Sequence, residues 1–78
     1  METREKYIQG IIIPVEWDND GLVLRTGITT FDEDLLVITD NDFGRILNQR
    51  LRETVTLLGR VSVHGGVKQV DVLQILAG

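Results

Sequence analysis

The stretch GIIIPVEWDNDG, Gly10–Gly21, decides how this chain is read. Its aliphatic run has the β-branched content of a buried strand. Yet it carries the chain's single proline, Pro14, ends at its single tryptophan, Trp17, and runs directly into an acidic turn. Proline has no N–H to give to a ladder, so within sheets it is confined to edges, bulges and bends. The stretch is therefore an edge strand, a binding platform, or a long strand that bends and changes neighbours. The residues on either side favour the third.

Reading outward from Pro14, one alternating set is Tyr7, Gln9, Ile11, Ile13, Val15 and Trp17; the other is Ile8, Gly10, Ile12, Pro14 and Glu16. The first set holds more large apolar side chains and is expected to face the core. The turn DNDG supplies residues that tolerate positive φ, and a two-residue loop at Asn19-Asp20 or Asp20-Gly21 would close a hairpin. The next run then places Leu22, Leu24, Thr26 and Ile28 on one face and Val23, Arg25, Gly27 and Thr29 on the other. Both loops pair odd positions with even ones, so both give the same faces.

A second acidic turn, FDED (31–34), leads into a third strand, LLVIT (35–39). Asp40 and Asn41 are candidate N-caps, and Asp42 suits the first turn of a helix. Phe43, Ile46, Leu47 and Leu51 recur at helical spacing, with Arg45, Gln49 and Arg52 on the opposite side. In the fourth strand Val55, Leu57, Gly59, Val61 and Val63 alternate with Thr56, Leu58, Arg60 and Ser62. Gly65-Gly66 then reads as a hairpin turn into a fifth strand. That register sets Val61 against Val70, Gly59 against Val72 and Arg60 against Asp71. Continued, it puts Leu58 opposite Leu73, with Ile75 close by, on the face that carries Arg60 and Asp71. Either a bulge turns the last strand over, or these three aliphatics form an exposed interaction patch. The expected core is Ile13, Val15, Leu24, Ile28, Leu47, Val61 and Val70.

The order is β-β-β-α-β-β, all-β with one short helix. It resembles the OB-fold, a five-stranded barrel with its helix between the third and fourth strands. The resemblance spans about residues 7–76, leaving 1–6 as an N-terminal tail and 77–78 as the C-terminal end. In such a barrel the first strand bends, Pro14 sits at the bend, and Trp17 is expected to plug one end. The stretch GIIIPVEWD also resembles the opening of a group of short uncharacterised bacterial proteins. In length and single-barrel plan the chain is similar to bacterial translation initiation factor one, a resemblance that implies a role on RNA. It departs from that protein in being acidic and in lacking a basic, aromatic-bearing face.

Seventy-eight residues hold one domain, near the lower size at which an apolar core suffices unaided. The absence of cysteine excludes disulfides, thiolate metal sites and a cysteine nucleophile, and a single histidine excludes a multi-histidine metal site. No signal-peptide h-region and no membrane-length apolar run occurs, so a cytoplasmic protein without membrane association is expected. The net charge of −4 is uneven. Residues 1–43 carry ten acidic side chains against three basic ones, whereas 44–68 carry Arg45, Arg50, Arg52, Arg60 and Lys68 against Glu53. Overall acidity disfavours nucleic acid and anionic membranes.

Neither DNDG nor DNDFG continues into a calcium loop, since the later ligand positions fall on Leu22, Gly44 and Leu51. Ser62, His64 and Asp71 have the side chains of a hydrolytic triad, but the register assigns Asp71 to Arg60 and leaves His64 at a hairpin tip. Arg25 is the one cation on the outer side of the second strand, and Arg45 and Arg52 offer a helical contact for phosphate or an acidic partner. The expectation is a non-enzymatic binding or interaction module with no cofactor and no metal, its partner unknown, with a protein or another copy of the chain as the candidates. The alternative is a single-stranded nucleic-acid binder contacting its ligand through Arg25, Arg45 and Arg52. A small hydrolase built on Ser62 and His64 comes third.

Overall fold

A computed structural model describes residues 4–77. The first strand, β1 (Arg4–Trp17), is 14 residues long and serves two neighbours in turn. Its first half pairs with β4 (Thr54–His64), from Arg4↔Val61 to Ile11↔Thr54. Its second half pairs with β2 (Val23–Thr30), from Gly10↔Thr30 to Trp17↔Val23. The exchange happens at Gly10, where a Cβ would run into the carbonyl oxygen of Thr29. With β3 (Leu35–Ile38), α1 (Asp42–Leu47) and β5 (Val67–Ala77), the strands close into a barrel of order β1-β2-β3-β5-β4. Among the described residues, only β3 and β5 run parallel. The element order and the single short helix are those expected. Strand β1 starts inside the segment read as a tail, and β5 continues through Ala77. Among the described residues no helix is long and apolar enough to cross a membrane.

Pro14 sits beside a bulge, as expected: the register shifts between Pro14 and Glu16 and again between Glu16 and Trp17. The face of β1 is the reverse of the expected one. Ile8, Gly10 and Ile12 are buried, whereas Tyr7 is 72% and Trp17 55% exposed, so Trp17 plugs nothing. The cause lies in the connection to β2, which is not a two-residue loop but the five-residue Asp18–Leu22. The Asp18 carboxylate accepts from the N–H groups of Asp20 (2.8 Å) and Leu22 (2.9 Å). The odd length of this loop makes even residues face even ones, Ile12 against Ile28, and the two bulges beyond it cancel in the count. On β2, Ile28 and Thr26 are buried as expected, but the bulge turns Leu24 out to 51% exposure.

The core consists of Ile8, Ile12, Ile28, Leu36, Ile38, Leu47, Val55, Leu57, Val70 and Val72. Of the expected members, Ile28, Leu47 and Val70 belong to it and Val61 packs against it, while Ile13 and Val15 lie half-buried outside. Helix α1 is capped by Asn41, whose side-chain oxygen accepts from the Gly44 N–H at 2.8 Å and whose amide donates to the Val72 carbonyl at 3.3 Å. Six residues are too few to complete the apolar stripe. Leu47 is fully buried and Phe43 and Leu51 pack on the core, but Ile46 is exposed. Just beyond the helix, Asn48 accepts from the buried Thr26 hydroxyl at 3.0 Å.

The β4–β5 hairpin turns at Gly65 (φ 58°) and Gly66 (φ 81°). Val61↔Val70, Arg60↔Asp71 and Gly59↔Val72 pair as expected. The next pair is Leu58↔Gln74, so Leu73 is the extra residue of a bulge, and a second shift follows beyond Leu57↔Ile75. The bulge returns Ile75 to the core. The Arg60 side chain reaches Glu5 at 3.3 Å rather than Asp71, which accepts from the Thr39 hydroxyl.

Candidate functional site

Because β1 presents its even residues to the core, its odd residues line the outside. The register builds two cross-strand rows there: Ile11–Thr29–Leu35 and Ile13–Gly27–Val37. Gly27 has no side chain of its own to show. A Cβ on it would lie 2.9 Å from Leu35 Cδ1 and 3.1 Å from Val15 Cγ1, so these neighbours lean in over β2. The outer face of β1–β2–β3 is thus mainly aliphatic, interrupted by Thr29, with Ile11 and Leu35 exposed and Ile13, Val15 and Val37 half-buried.

Where this face meets the Gly65-Gly66 hairpin, a shallow depression of about 340 Å3 is lined by Val15, Glu16, Arg25, Val37, Val67 and His64, among others. Arg25 stands opposite Glu16 in the ladder. Its Nε is buried and has no hydrogen-bond partner. An unpartnered donor on a charged group is costly when shut off from water, by about 1–3 kcal/mol or more. Guanidinium geometry suits a carboxylate or phosphate, which it grips with two parallel bonds.

The other two candidate arginines do not join it. Arg45 pairs with Asp42 at 2.7 Å and Asp40 at 3.5 Å, so its charge is matched by an acid of its own helix and by the one just before the cap. Arg52 is an exposed residue with φ 69° in the connection to β4, where its N–H donates to the Ile12 carbonyl at 2.7 Å. Leu58, Leu73 and Ile75 are all half-buried, with Ile75 against the core, so they do not form an open patch. Ser62 lies opposite Gln69 and His64 opposite Val67, while Asp71 is held by Thr39; the three are not brought together as a triad.

A second depression, of about 190 Å3, lies at the opposite rim between β1 and the β2–β3 turn, flanked by the exposed aromatics Tyr7 and Phe31. Its acids are Asp32 and Asp34. Lys68 bonds Asp34 at 2.8 Å, and that hydrogen bond chiefly holds the carboxyl below its ordinary value.

The sequence points to Arg25 but not to the aliphatic face beside it, because Ile11, Ile13 and Val15 lie in the alternating set that is expected to face the core. The signal that could have found it was Gly27 among outward positions of β2: a glycine there lets flanking side chains close over the strand. In comparisons with known proteins, no family model, no curated protein and no solved structure matches this chain.

Proposed function

We propose that this barrel is an OB-like, non-enzymatic interaction module that takes an extended, apolar, carboxylate-bearing segment of a protein partner across the outer face of β1–β2–β3. The observation that carries this reading is the buried, unpartnered Nε of Arg25 at the end of an aliphatic surface. The segment's alternate side chains cover Ile11, Ile13, Leu35 and Val37, and its carboxylate completes Arg25. Glu16 beside Arg25 limits the match to a single carboxylate, since a run of acids would be repelled. A cytoplasmic setting fits a chain without cysteine.

The alternative, a single-stranded nucleic-acid binder, has weaker support. Such proteins combine a basic groove with aromatic stacking platforms. Here the outer face is aliphatic, and the exposed Tyr7 and Phe31 stand beside Asp32 and Asp34.

The test is selection from a random peptide display library on the immobilised protein, with Arg25→Ala as counter-screen. Enriched peptides are expected to share one carboxylate next to alternating apolar residues, and Arg25→Ala should weaken them about tenfold or more, the worth of a charged hydrogen bond. Absence of enrichment, together with salt-dependent binding of mixed-sequence oligonucleotides that Arg25→Ala removes, would replace this reading with the alternative.

A further inference from the structure

Strand β1 is flanked on both sides only where β4 and β2 overlap, at Gly10 and Ile11. From Arg4 to Gln9 it has β4 on one side and, among the described residues, no strand on the other, where the β2–β3 turn leaves a depression beside it. The direction of its backbone groups follows from one residue. The Ile12 N–H donates to the Glu53 carbonyl at 3.1 Å, and the Ile12 carbonyl accepts from Arg52 at 2.7 Å. Even residues of β1 therefore point their N–H and C=O toward β4, and odd residues point away. Ile11 and Ile13 spend theirs on β2. Glu5, Tyr7 and Gln9 aim theirs out of the barrel, and among the described residues no turn backbone or side chain meets them. All three are exposed.

We infer that this edge is a self-pairing site: a second copy of the chain adds its own β1, antiparallel, about a two-fold axis at Tyr7. The charges choose both the occupant and the register. Only outward-pointing residues can exchange hydrogen bonds across the new pair. A two-fold at Glu5 sets that carboxylate against itself and Arg4 against Lys6, and a two-fold at Lys6 sets that ammonium against itself. A two-fold at Ile8 shortens the overlap to Tyr7–Gln9, because Thr30 already lies beside Gly10. A two-fold at Tyr7 pairs Tyr7 with Tyr7, Lys6 with Ile8 and Glu5 with Gln9, and no like charges meet. The overlap ends there, because Arg4 of the second copy would fall opposite Gly10, where Thr30 already lies. The charged Arg-Glu-Lys start of β1, which protects an edge against indiscriminate pairing, here acts as a filter that admits one register. The pairing leaves the outer aliphatic face open, so it is independent of the function proposed above.

Because the chain contains no cysteine, Tyr7→Cys places a single thiol on the axis. In a hydrogen-bonded antiparallel pair the facing Cα atoms are about 5.5 Å apart, within reach of a disulfide. In a glutathione buffer Tyr7→Cys is expected to become a disulfide-linked dimer far faster than Val63→Cys, an exposed control on β4. In sedimentation equilibrium the wild-type mass should rise from one chain toward two with concentration. Tyr7→Pro removes only an outward N–H and leaves the β4 ladder intact, so it should remain folded and monomeric. The inference is overturned by a wild-type mass of one chain up to the solubility limit, by equal oxidation rates of the two cysteine variants, or by a Tyr7→Pro variant that still dimerises. Should Tyr7→Pro fail to fold, the cysteine pair and the wild-type mass decide.

Discussion

The two long hairpins of this barrel are built from similar parts and differ in how their turns set parity. Both carry bulges, and both place a buried glycine beneath the neighbouring strand, Gly10 in β1 and Gly59 in β4. The β4–β5 turn is two glycines at positive φ, and a two-residue loop has one register, so every pairing near it follows by counting. The β1–β2 turn is a five-residue loop wrapped around the Asp18 carboxylate and followed by a bulge. The odd number of residues in this loop moves the whole strand's side chains to the opposite face, whereas the two bulges cancel each other by Pro14↔Thr26. A hairpin closed by backbone geometry is therefore readable from its turn, whereas one closed by a side chain is not.

The sharpest way to break this contrast is at adjacent isoleucines of β1. Ile12→Ala should cost about 2–5 kcal/mol, a fully buried side chain leaving a cavity, while Ile13→Ala should cost under about 1.5 kcal/mol. Denaturant midpoints measure both, and the reverse order would restore the opposite face. In the β4–β5 turn, Gly66→Ala should cost about 1–2 kcal/mol through left-handed backbone strain alone, since a Cβ there meets nothing within 4 Å. In the β1–β2 turn, Asp18→Ala should cost about 1 kcal/mol by losing two exposed backbone-to-carboxylate bonds, and Asp18→Asn should recover most of it. A larger loss at Asp18 than at Ile12 would mean that the loop, not the core, holds the register.

The legible part of the fold was whatever local chemistry determines alone. Asn41 has both the residue type and the position of an N-cap, Gly65-Gly66 can only be a tight turn, and Pro14 had to lie at an irregularity. The order of elements followed from these. What was not legible required knowing which of two plausible sets faced inward. Tyr7, Ile11, Ile13, Val15 and Trp17 outweigh Ile8, Gly10 and Ile12 in apolar bulk, yet the narrow interior accepts the smaller set and the larger one covers the outside. The candidate site inherits that inversion. Arg25 was visible as a lone cation on an outer strand face, but its surroundings, Val15 and Val37 across Gly27, became outer neighbours only once β1 was turned over. The aliphatic trio of Leu58, Leu73 and Ile75 posed the same question, and there one bulge at Leu73 drew Ile75 inward.

The smallest expected effect concerns how the two hairpins are held together. Strands β3 and β5 share only Val37↔Gln69 and Ile38↔Val70, so the parallel junction is short. Asp34, at the start of β3, bonds Lys68, near the start of β5, at 2.8 Å across that junction. The hydrogen bond from Lys68 is the main cause that holds the Asp34 carboxyl below its ordinary 3.8. A carboxyl whose folded pKa is depressed binds protons more readily in the unfolded chain, so its contribution is present above the ordinary value and is lost as pH falls through the folded one. The barrel should therefore lose a small part of its stability only below about pH 4, and Lys68→Met should remove that part of the acid dependence while leaving neutral-pH stability almost unchanged. Thermal melts of wild type and Lys68→Met from neutral to strongly acidic pH measure this. Parallel acid profiles for the two proteins would show that the Asp34–Lys68 pair does not couple the hairpins, and that Thr39, which donates to Asp71 and whose N–H bonds the Val70 carbonyl, carries the junction instead.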